Sequence, residues 1–378
     1  MHNIAIVHDW FTTYAGSERV IEQLLRIFPH ADLFSLINVL SEKNKGFIGD
    51  KTIRTTFLQK APFIQKHYRS YLPLMPLAIE QFDLSKYNLI ISNCHAVSKG
   101  VICNPEQLHI SYIHSPIRYA WDLQETYLDS RGMKNAIARL FLHYIRIWDM
   151  TAAQRPDKLI ASSRFIAKRI QKFYRRPSTV IYPPVDTDYF TPGGEKDDFY
   201  LTVSRLVPYK RIDLILEAFQ SMPDKKLVVM GEGPEARKLE NITAPNISWL
   251  GYQPAHVLRD YLRRSRAFVF ASKEDFGILP VEAQACGTPV IAFGEGGALE
   301  TVNGLESQQS TGIFFQSQTL EAIQTVVLEF ERNIAVFNSE VCRRNAERFS
   351  NQRFRKEFQE FITLACEEFF ENCTESVN

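Results

Sequence analysis

Residues 267–303 read AFVFASKEDFGILPVEAQACGTPVIAFGEGGALETVN. The apolar run 267–271 predicts a buried parallel strand. A polar turn over 272–277 leads into a helical pattern over 279–286, which Gly287 stops. A second apolar run, 289–293, predicts the next strand. Strand, loop, helix and strand in that order build doubly wound sheets. Glu274 falls in the loop at the carboxyl end of the first strand, and Glu282 on the first turns of the helix. That is where such sheets bind ligands. A helix start there offers backbone N–H groups and a positive dipole end, which suit phosphate.

Working outward, the same alternation fills the chain. Apolar runs at 4–7, 33–37, 89–92, 109–113, 158–162 and 180–184 predict strands in the first half. Runs at 199–203, 226–230 and 247–250 precede the central unit in the second. Helical patterns stand between them, so the class is α/β, with two Rossmann-like α/β/α domains built on parallel sheets. Pro183-Pro184 makes a stiff boundary. The expected division is an N-terminal domain over 1–184, a linker over 185–194, a C-terminal domain over 195–348 and a C-terminal helix over 349–378. The pattern at 133–150 predicts a helix whose stripe of Ile137, Leu140, Phe141, Tyr144 and Trp148 faces the core.

Composition narrows the function classes. The 378 residues predict about two domains of roughly 150 each. A net charge of +1 gives no global signal for nucleic acid. Cys94, Cys103, Cys286, Cys342, Cys366 and Cys373 form no CxxC pair, which argues against zinc and redox motifs and for a reducing compartment. The start, MHNIAIVHDW, shows no signal peptide, and no window reaches 18 uninterrupted apolar residues. The expected location is cytoplasmic, with peripheral contact to the cytoplasmic membrane face as an extension.

Polar residues just past strand ends are the candidate ligand contacts. In the second half these are Arg205, Lys210, Gly231, Gly233, Glu274 and Glu282. Arg205 offers a planar fork and Lys210 a point charge to a diphosphate. A carboxylate suits two adjacent sugar hydroxyls. Taken singly, Glu274 also fits a solvated loop residue and Glu282 a partner of the helix dipole. In the first half, the loop 8–16 precedes a helix that Ser17 could cap, and Gly16 permits close backbone approach. That loop is not GxGxxG, which disfavours a nicotinamide-dinucleotide fold. His114 follows the 109–113 strand, and His8, Asp9 and His95 also stand at strand ends. Residues 51–79 interleave Lys51, Arg54, Lys60, Lys66 and Arg69 with aromatic and apolar residues. They read either as helix and loop packed on the domain or as an acceptor-binding or membrane-surface segment.

The stretches VSRLVPYKRIDLILEAF, GEGP, LGY, SKEDFGILPVEAQACGTPVIAFGEGGALETV and FSNQRFRKEF, in this order, resemble the retaining GT-B glycosyltransferases of family four. YIHSPIRYAWD resembles the mannosyltransferase-like branch that builds bacterial surface polysaccharides. The resemblance implies a GT-B fold, with two Rossmann-like domains facing across a cleft and a C-terminal helix returning to the first. It implies that Glu282 binds ribose hydroxyls, that Arg205 and Lys210 hold the diphosphate, and that Glu274 faces the donor sugar. Backbone groups of Phe276, Gly277, Ile278 and Leu279 would meet sugar and phosphate, and the base would lie near Gly231 and Tyr252. Gly16 would approach the phosphate and His114 the donor sugar. The family often carries two glycines in the first loop, where this chain has Ala15-Gly16-Ser17.

The activity so implied is retaining transfer of a hexose-type sugar from GDP-mannose or a UDP-sugar to a lipid-linked saccharide or polysaccharide. Arginine and lysine are expected to stand in for magnesium, and no cofactor is expected. Attack on the donor's front face needs no protein nucleophile, whereas double displacement would use Glu274. Two other classes stay open: a nucleotide-sugar epimerase on the same scaffold, and a non-catalytic nucleotide-sugar-binding protein.

Overall fold

The computed structural model describes residues 2–122, 133–242 and 244–375. The side chains of Ile137 and Cys373, both named above, lie outside the described residues. The chain forms two compact units, one of residues 1–184 with 354–378, the other of residues 185–353. Residues 185–194 thus count with the second unit, where Val185 N donates to Phe349 O at 2.9 Å.

The first unit is built on seven parallel strands in the order β3-β2-β1-β4-β5-β6-β7. These are β1 (Ile4–His8), β2 (Asp32–Ser35), β3 (Ile53–Thr55), β4 (Leu89–Cys94), β5 (Leu108–Ile113), β6 (Lys158–Ala161) and β7 (Thr179–Val180). Alternate residues of each strand feed opposite faces. Ile6, Leu89 and Ile91 join a core with Val20 and Leu24 of the Gly16–Ile27 helix and with Phe354, Phe358 and Ile362 of the Asn351–Glu375 helix. Ala5, Val7 and Ile90 point the other way, into a core with Leu58, Ile64, Met75, Trp148 and Ala152. Both faces are covered, which is why these strands read as unbroken apolar runs. Strand order reverses between β1 and β4, the switch point of this sheet.

The Met133–Ala152 helix corrects one expectation. Its core face is Ile145, Trp148, Asp149 and Ala152, whereas Leu140, Phe141 and Tyr144 are exposed. Apolar residues lie on both sides of this helix, so periodicity could not tell the inner stripe from the outer one. Trp121 and Asp122, at the end of YIHSPIRYAWD, are anchored in this unit. Trp121 Nε1 donates to Asp149 Oδ2 at 2.7 Å, and Arg169 Nη2 donates to Asp122 Oδ1 at 2.7 Å.

The second unit carries six parallel strands in the order β10-β9-β8-β11-β12-β13. They are β8 (Tyr200–Val203), β9 (Leu227–Met230), β10 (Ile247–Gly251), β11 (Ala267–Phe270), β12 (Val290–Phe293) and β13 (Gly312–Phe315). One face packs Leu227, Val229 and Val269 on Ile215 and Phe219 of the Ile212–Gln220 helix and on Val327 and Phe330 of the Leu320–Arg332 helix. The Ile278–Ala285 helix lies between β11 and β12 in sequence and is pinned by buried Gln284, whose Oε1 accepts from Asn345 Nδ2 at 2.7 Å. Here the switch point lies between β8 and β11. No helix among the described residues is long and apolar enough to cross a membrane.

Candidate active site

The two loops that flank the second sheet's switch point carry the expected charges. After β8 the chain runs through Arg205, which is exposed, and a 3-10 turn, Pro208–Lys210. Arg211 closes that turn in the left-handed region at φ 53° and begins the Ile212–Gln220 helix. After β11 the chain runs through Ser272 and Glu274 into the Ile278–Ala285 helix. Lys210 Nζ donates to Glu274 Oε1, and Ser272 Oγ lies 3.3 Å from the same oxygen. Two residues 64 apart in sequence are thereby tied across the switch point. Glu282, on the following helix, is buried.

The helix start at Gly277 has no side-chain cap and sits at φ 88°. Its first residues, Ile278 and Leu279, follow Phe276, whose ring is buried against Phe349 with centroids 5.3 Å apart. Backbone bonds fasten this loop to the next: Gly297 N donates to Glu274 O at 2.8 Å.

The glycines after β9 have a packing cause. At Gly231 (φ 138°) an added Cβ would overlap the Ser204 carbonyl, and at Gly233 it would overlap the Leu206 backbone. Leu206 N donates to Glu232 O at 2.9 Å, so the loops after β8 and β9 lie backbone to backbone on either side of Arg205. Gly231 N donates to Gly251 O at 2.8 Å, which sets exposed Tyr252 beside Gly231. Arg205, Lys210, Gly231, Gly233, Tyr252, Glu274, Phe276, Gly277, Ile278, Leu279 and Glu282 thus all sit on or next to the carboxyl ends of β8, β9, β10 and β11.

Gly16 and His114 belong to the first unit, at its own switch point. Gly16 opens the Gly16–Ile27 helix, but the N-cap is Ala15, so Ser17 lies in the first turn rather than capping it. Glu18 Oε2 instead accepts from Ala15 N at 3.0 Å and from Ser17 Oγ at 3.0 Å. A carboxylate therefore already sits at this helix start, which leaves the loop less inviting to an anion than its position alone suggests. His114 Nε2 is 2.7 Å from Asn93 Oδ1. Asn93 Nδ2 donates to Ser17 O at 3.0 Å, which orients the amide and makes His114 Nε2 the donor. Burial pushes the His114 ring down to about 3, so it is neutral at neutral pH.

Around His114 stands a cluster that includes His8, Asp9 and His95, singled out above only as strand-end residues. Asp9 is fully buried, and its oxygens accept from the backbone N–H groups of His95, Ala96, Val97 and Ser98 at 2.6 to 2.9 Å. Burial opposes ionisation of Asp9, but neighbouring imidazoles and those donors outweigh it and hold the carboxyl below its usual range. His95 Nδ1 lies 3.1 Å from Asp9 Oδ2, out of line for a hydrogen bond. Burial lowers His95 despite Asp9. Burial also works against a charged His8, but Glu18, whose Oε1 is 3.4 Å from Nε2, reverses the balance and raises it. Glu18 and Asn93 were not singled out beforehand. No sequence signal pointed to them: β1 and β4 become neighbours only in the folded sheet, where polar residues at their ends converge. Among the described residues no group of three His, Cys, Asp or Glu side chains is placed to hold a metal ion.

Residues 190–348 match the family described as Glycosyl transferases group 1, and residues 14–189 match Glycosyltransferase Family 4. The two matches adjoin and run through both units, and the chain belongs to this glycosyltransferase family. It is 29% identical over 205 residues to an uncharacterized glycosyltransferase of Methanocaldococcus jannaschii, covering 52% of this chain and 56% of that one. It is 29% identical over 177 residues to a D-inositol 3-phosphate glycosyltransferase of a Mycobacterium species, covering 40% of each. The chain therefore spans about half the length of the curated relatives it matches. Among solved structures it resembles HepE of Anabaena in complex with UDP and glucose, with a TM-score of 0.67 and 14% identity over 96% of this chain and 100% of that one. That likeness establishes the GT-B fold.

Proposed function

We propose that the chain transfers a hexose-type sugar, with retention and without a metal, from GDP-mannose or a UDP-sugar to a lipid-linked saccharide or polysaccharide acceptor. The observation that carries this reading is the Lys210–Glu274 tie across the β8/β11 switch point, with Glu282 on the adjoining helix. Family membership supports the reaction class, and the UDP and glucose held by HepE support the donor class.

The chemistry follows from charge. Breaking a sugar–phosphate bond leaves a diphosphate that gains negative charge. Arg205, Lys210 and the start of the Ile278–Ala285 helix would stabilise it more in the transition state than in the ground state. A diphosphate competing for the Lys210 ammonium would release Glu274 to accept sugar hydroxyls. Glu282 is assigned the ribose hydroxyls, and Tyr252 with Gly231 the base. In the front-face scheme the leaving phosphate oxygen takes the acceptor's proton. Gly16 and His114 are the donor contacts proposed for the first unit, and residues 51–79 its contact to a lipid-linked acceptor.

Thermal-shift screening against UDP, GDP and ADP, then their sugars, would identify the donor. Transfer assays with Glu282→Ala and Lys210→Ala then test the site: both should lose most turnover while staying folded. Unchanged turnover in both removes the assignment, and an epimer formed from donor alone replaces it with the epimerase reading.

A further inference from the structure

The Met133–Ala152 helix is apolar on two sides, and only one of them is covered. Inward, Ile145 shares a small core with Ile117 and Ala120, against which Leu72 and Leu142 pack, while Trp148 and Ala152 share a core with Leu58, Ile64 and Met75. Outward, Leu140 is 68% exposed and Ile147 56%, with Tyr144 and Met150 exposed beside them. Spaced at i, i+4 and i+7, Leu140, Tyr144 and Ile147 form one stripe along the helix. The segment beneath shows the same habit, for Phe63 is 80% exposed and Leu74 and Leu77 are exposed too. Apolar surface left open on this scale marks a contact with something else.

Charge says what that something is. Residues 133–148 contain Lys134, Arg139, His143 and Arg146 and no Asp or Glu. Residues 51–79 contain Lys51, Arg54, Lys60, Lys66 and Arg69, again with no Asp or Glu. The chain as a whole is nearly neutral at +1, so two adjacent acid-free stretches in one unit are a local bias. Arg139 and His143 are exposed on the same side as the apolar stripe, and Lys60 and Lys66 are exposed on the packed segment. The next acid on the helix, Asp149, is buried on an ion pair with Lys99.

We propose that the outward side of the Met133–Ala152 helix, with the exposed apolar and basic residues of 57–77, seats the first unit on an anionic lipid surface. An interfacial helix has this make-up: apolar side chains enter the headgroup boundary while cations meet lipid phosphates. A second copy of the chain fits less well. A two-fold contact would press this face against itself, cation on cation, with no carboxylate on the helix side to compensate. The proposal extends the lipid-linked acceptor reading above, but its test needs no turnover.

The test is co-sedimentation of the full chain with phosphatidylcholine vesicles, with and without phosphatidylglycerol and without nucleotide sugar. Binding should require the anionic lipid and weaken with salt. The pairs Leu140→Glu with Ile147→Glu, and Arg139→Glu with His143→Glu, should each reduce binding about tenfold or more. All four positions are exposed and glutamate is a good helix former, so the fold is kept, which unchanged circular dichroism confirms. Wild-type chain that ignores phosphatidylglycerol, or variants that bind as before, would overturn the proposal. So would a wild-type dimer in sedimentation velocity that Leu140→Glu disperses, because then a second copy covers the face. Lipid binding without sugar transfer would refute the transferase reading and leave this one standing.

Discussion

Lys210, in the turn after β8, donates an ammonium N–H to the carboxylate of Glu274, in the loop after β11. Neither side chain is far from water, at 15% and 19% exposure, yet together they bind the two loops where strand order reverses. Each masks the other's charge.

Lys210→Ala should lower kcat by roughly 10²- to 10³-fold, the scale on which single preorganised charges act on a developing anion. Glu274→Gln should raise KM for the donor sugar more than Lys210→Ala does. The double variant should fall short of the product of the two, since both act on one ligand. Steady-state kinetics on the three proteins decides it, and strictly multiplicative losses would separate the residues functionally.

Gly231 tests packing against ligand approach. Its φ of 138° and the Ser204 carbonyl both forbid a Cβ, so Gly231→Ala should cost roughly 2–4 kcal/mol of stability. Gly251, at φ 64° with open space around it, should tolerate alanine at about 1 kcal/mol. Urea unfolding measures both. A Gly231→Ala protein of wild-type stability that binds nucleotide poorly would assign the glycine to the ligand instead.

Lys99 and Asp149 form a fully buried ion pair, and Asp149 Oδ2 also accepts from Trp121 Nε1 and Tyr174 OH. Lys99→Met strands the carboxylate and should cost about 3–5 kcal/mol. Adding Asp149→Asn should recover part of that loss. Denaturant midpoints of the single and double variants check the sign of the coupling.

His109 predicts a pH dependence. Burial pushes its ring down to about 3, helped by the charges of Arg155 and Arg176. An unfolded chain takes up that proton near pH 6.5. The folded-state value is depressed, so the contribution is complete above about pH 6.5 and declines as pH falls toward 3, by about 1.4 kcal/mol per unit. His109→Gln, which keeps a polar partner for Ser92, should flatten the stability curve between about pH 6.5 and 5 by one proton's slope. Urea unfolding over that range shows it, and identical slopes would place the protonation elsewhere.

Asp9→Asn replaces an oxygen that accepts two backbone N–H groups with an amide that cannot accept them. The expected cost is about 2–3 kcal/mol, read from thermal or denaturant unfolding. Stability equal to wild type would mean the loop 95–98 rearranges freely.

The stretch 267–303 was legible almost to the residue. Its strands fall at Ala267–Phe270 and Val290–Phe293 because buried parallel strands are apolar without interruption. Glu274 and Glu282 could be noticed for the same reason: they break that pattern at a strand end and a helix start. That Glu274 meets Lys210 could not be read, because the pairing depends on β8 lying beside β11. Glu18 escaped notice because an acid in a first helical turn looks like an ordinary dipole partner, and only the β1/β4 neighbourhood reveals His8 beside it. Leu140, Phe141 and Tyr144 were misassigned because a helix apolar on both sides has no phase to read.

The Asn351–Glu375 helix starts among residues of the second unit and then supplies Phe354, Phe358, Ile362 and Ala365 to the interior of the first. Topologically, the second unit is therefore an insertion, and a scission after residue 184 would leave the N-terminal fragment with its greasy inside open to solvent. Any two-piece reconstitution of this chain should have to return the tail peptide to that fragment before either piece behaves as a native body.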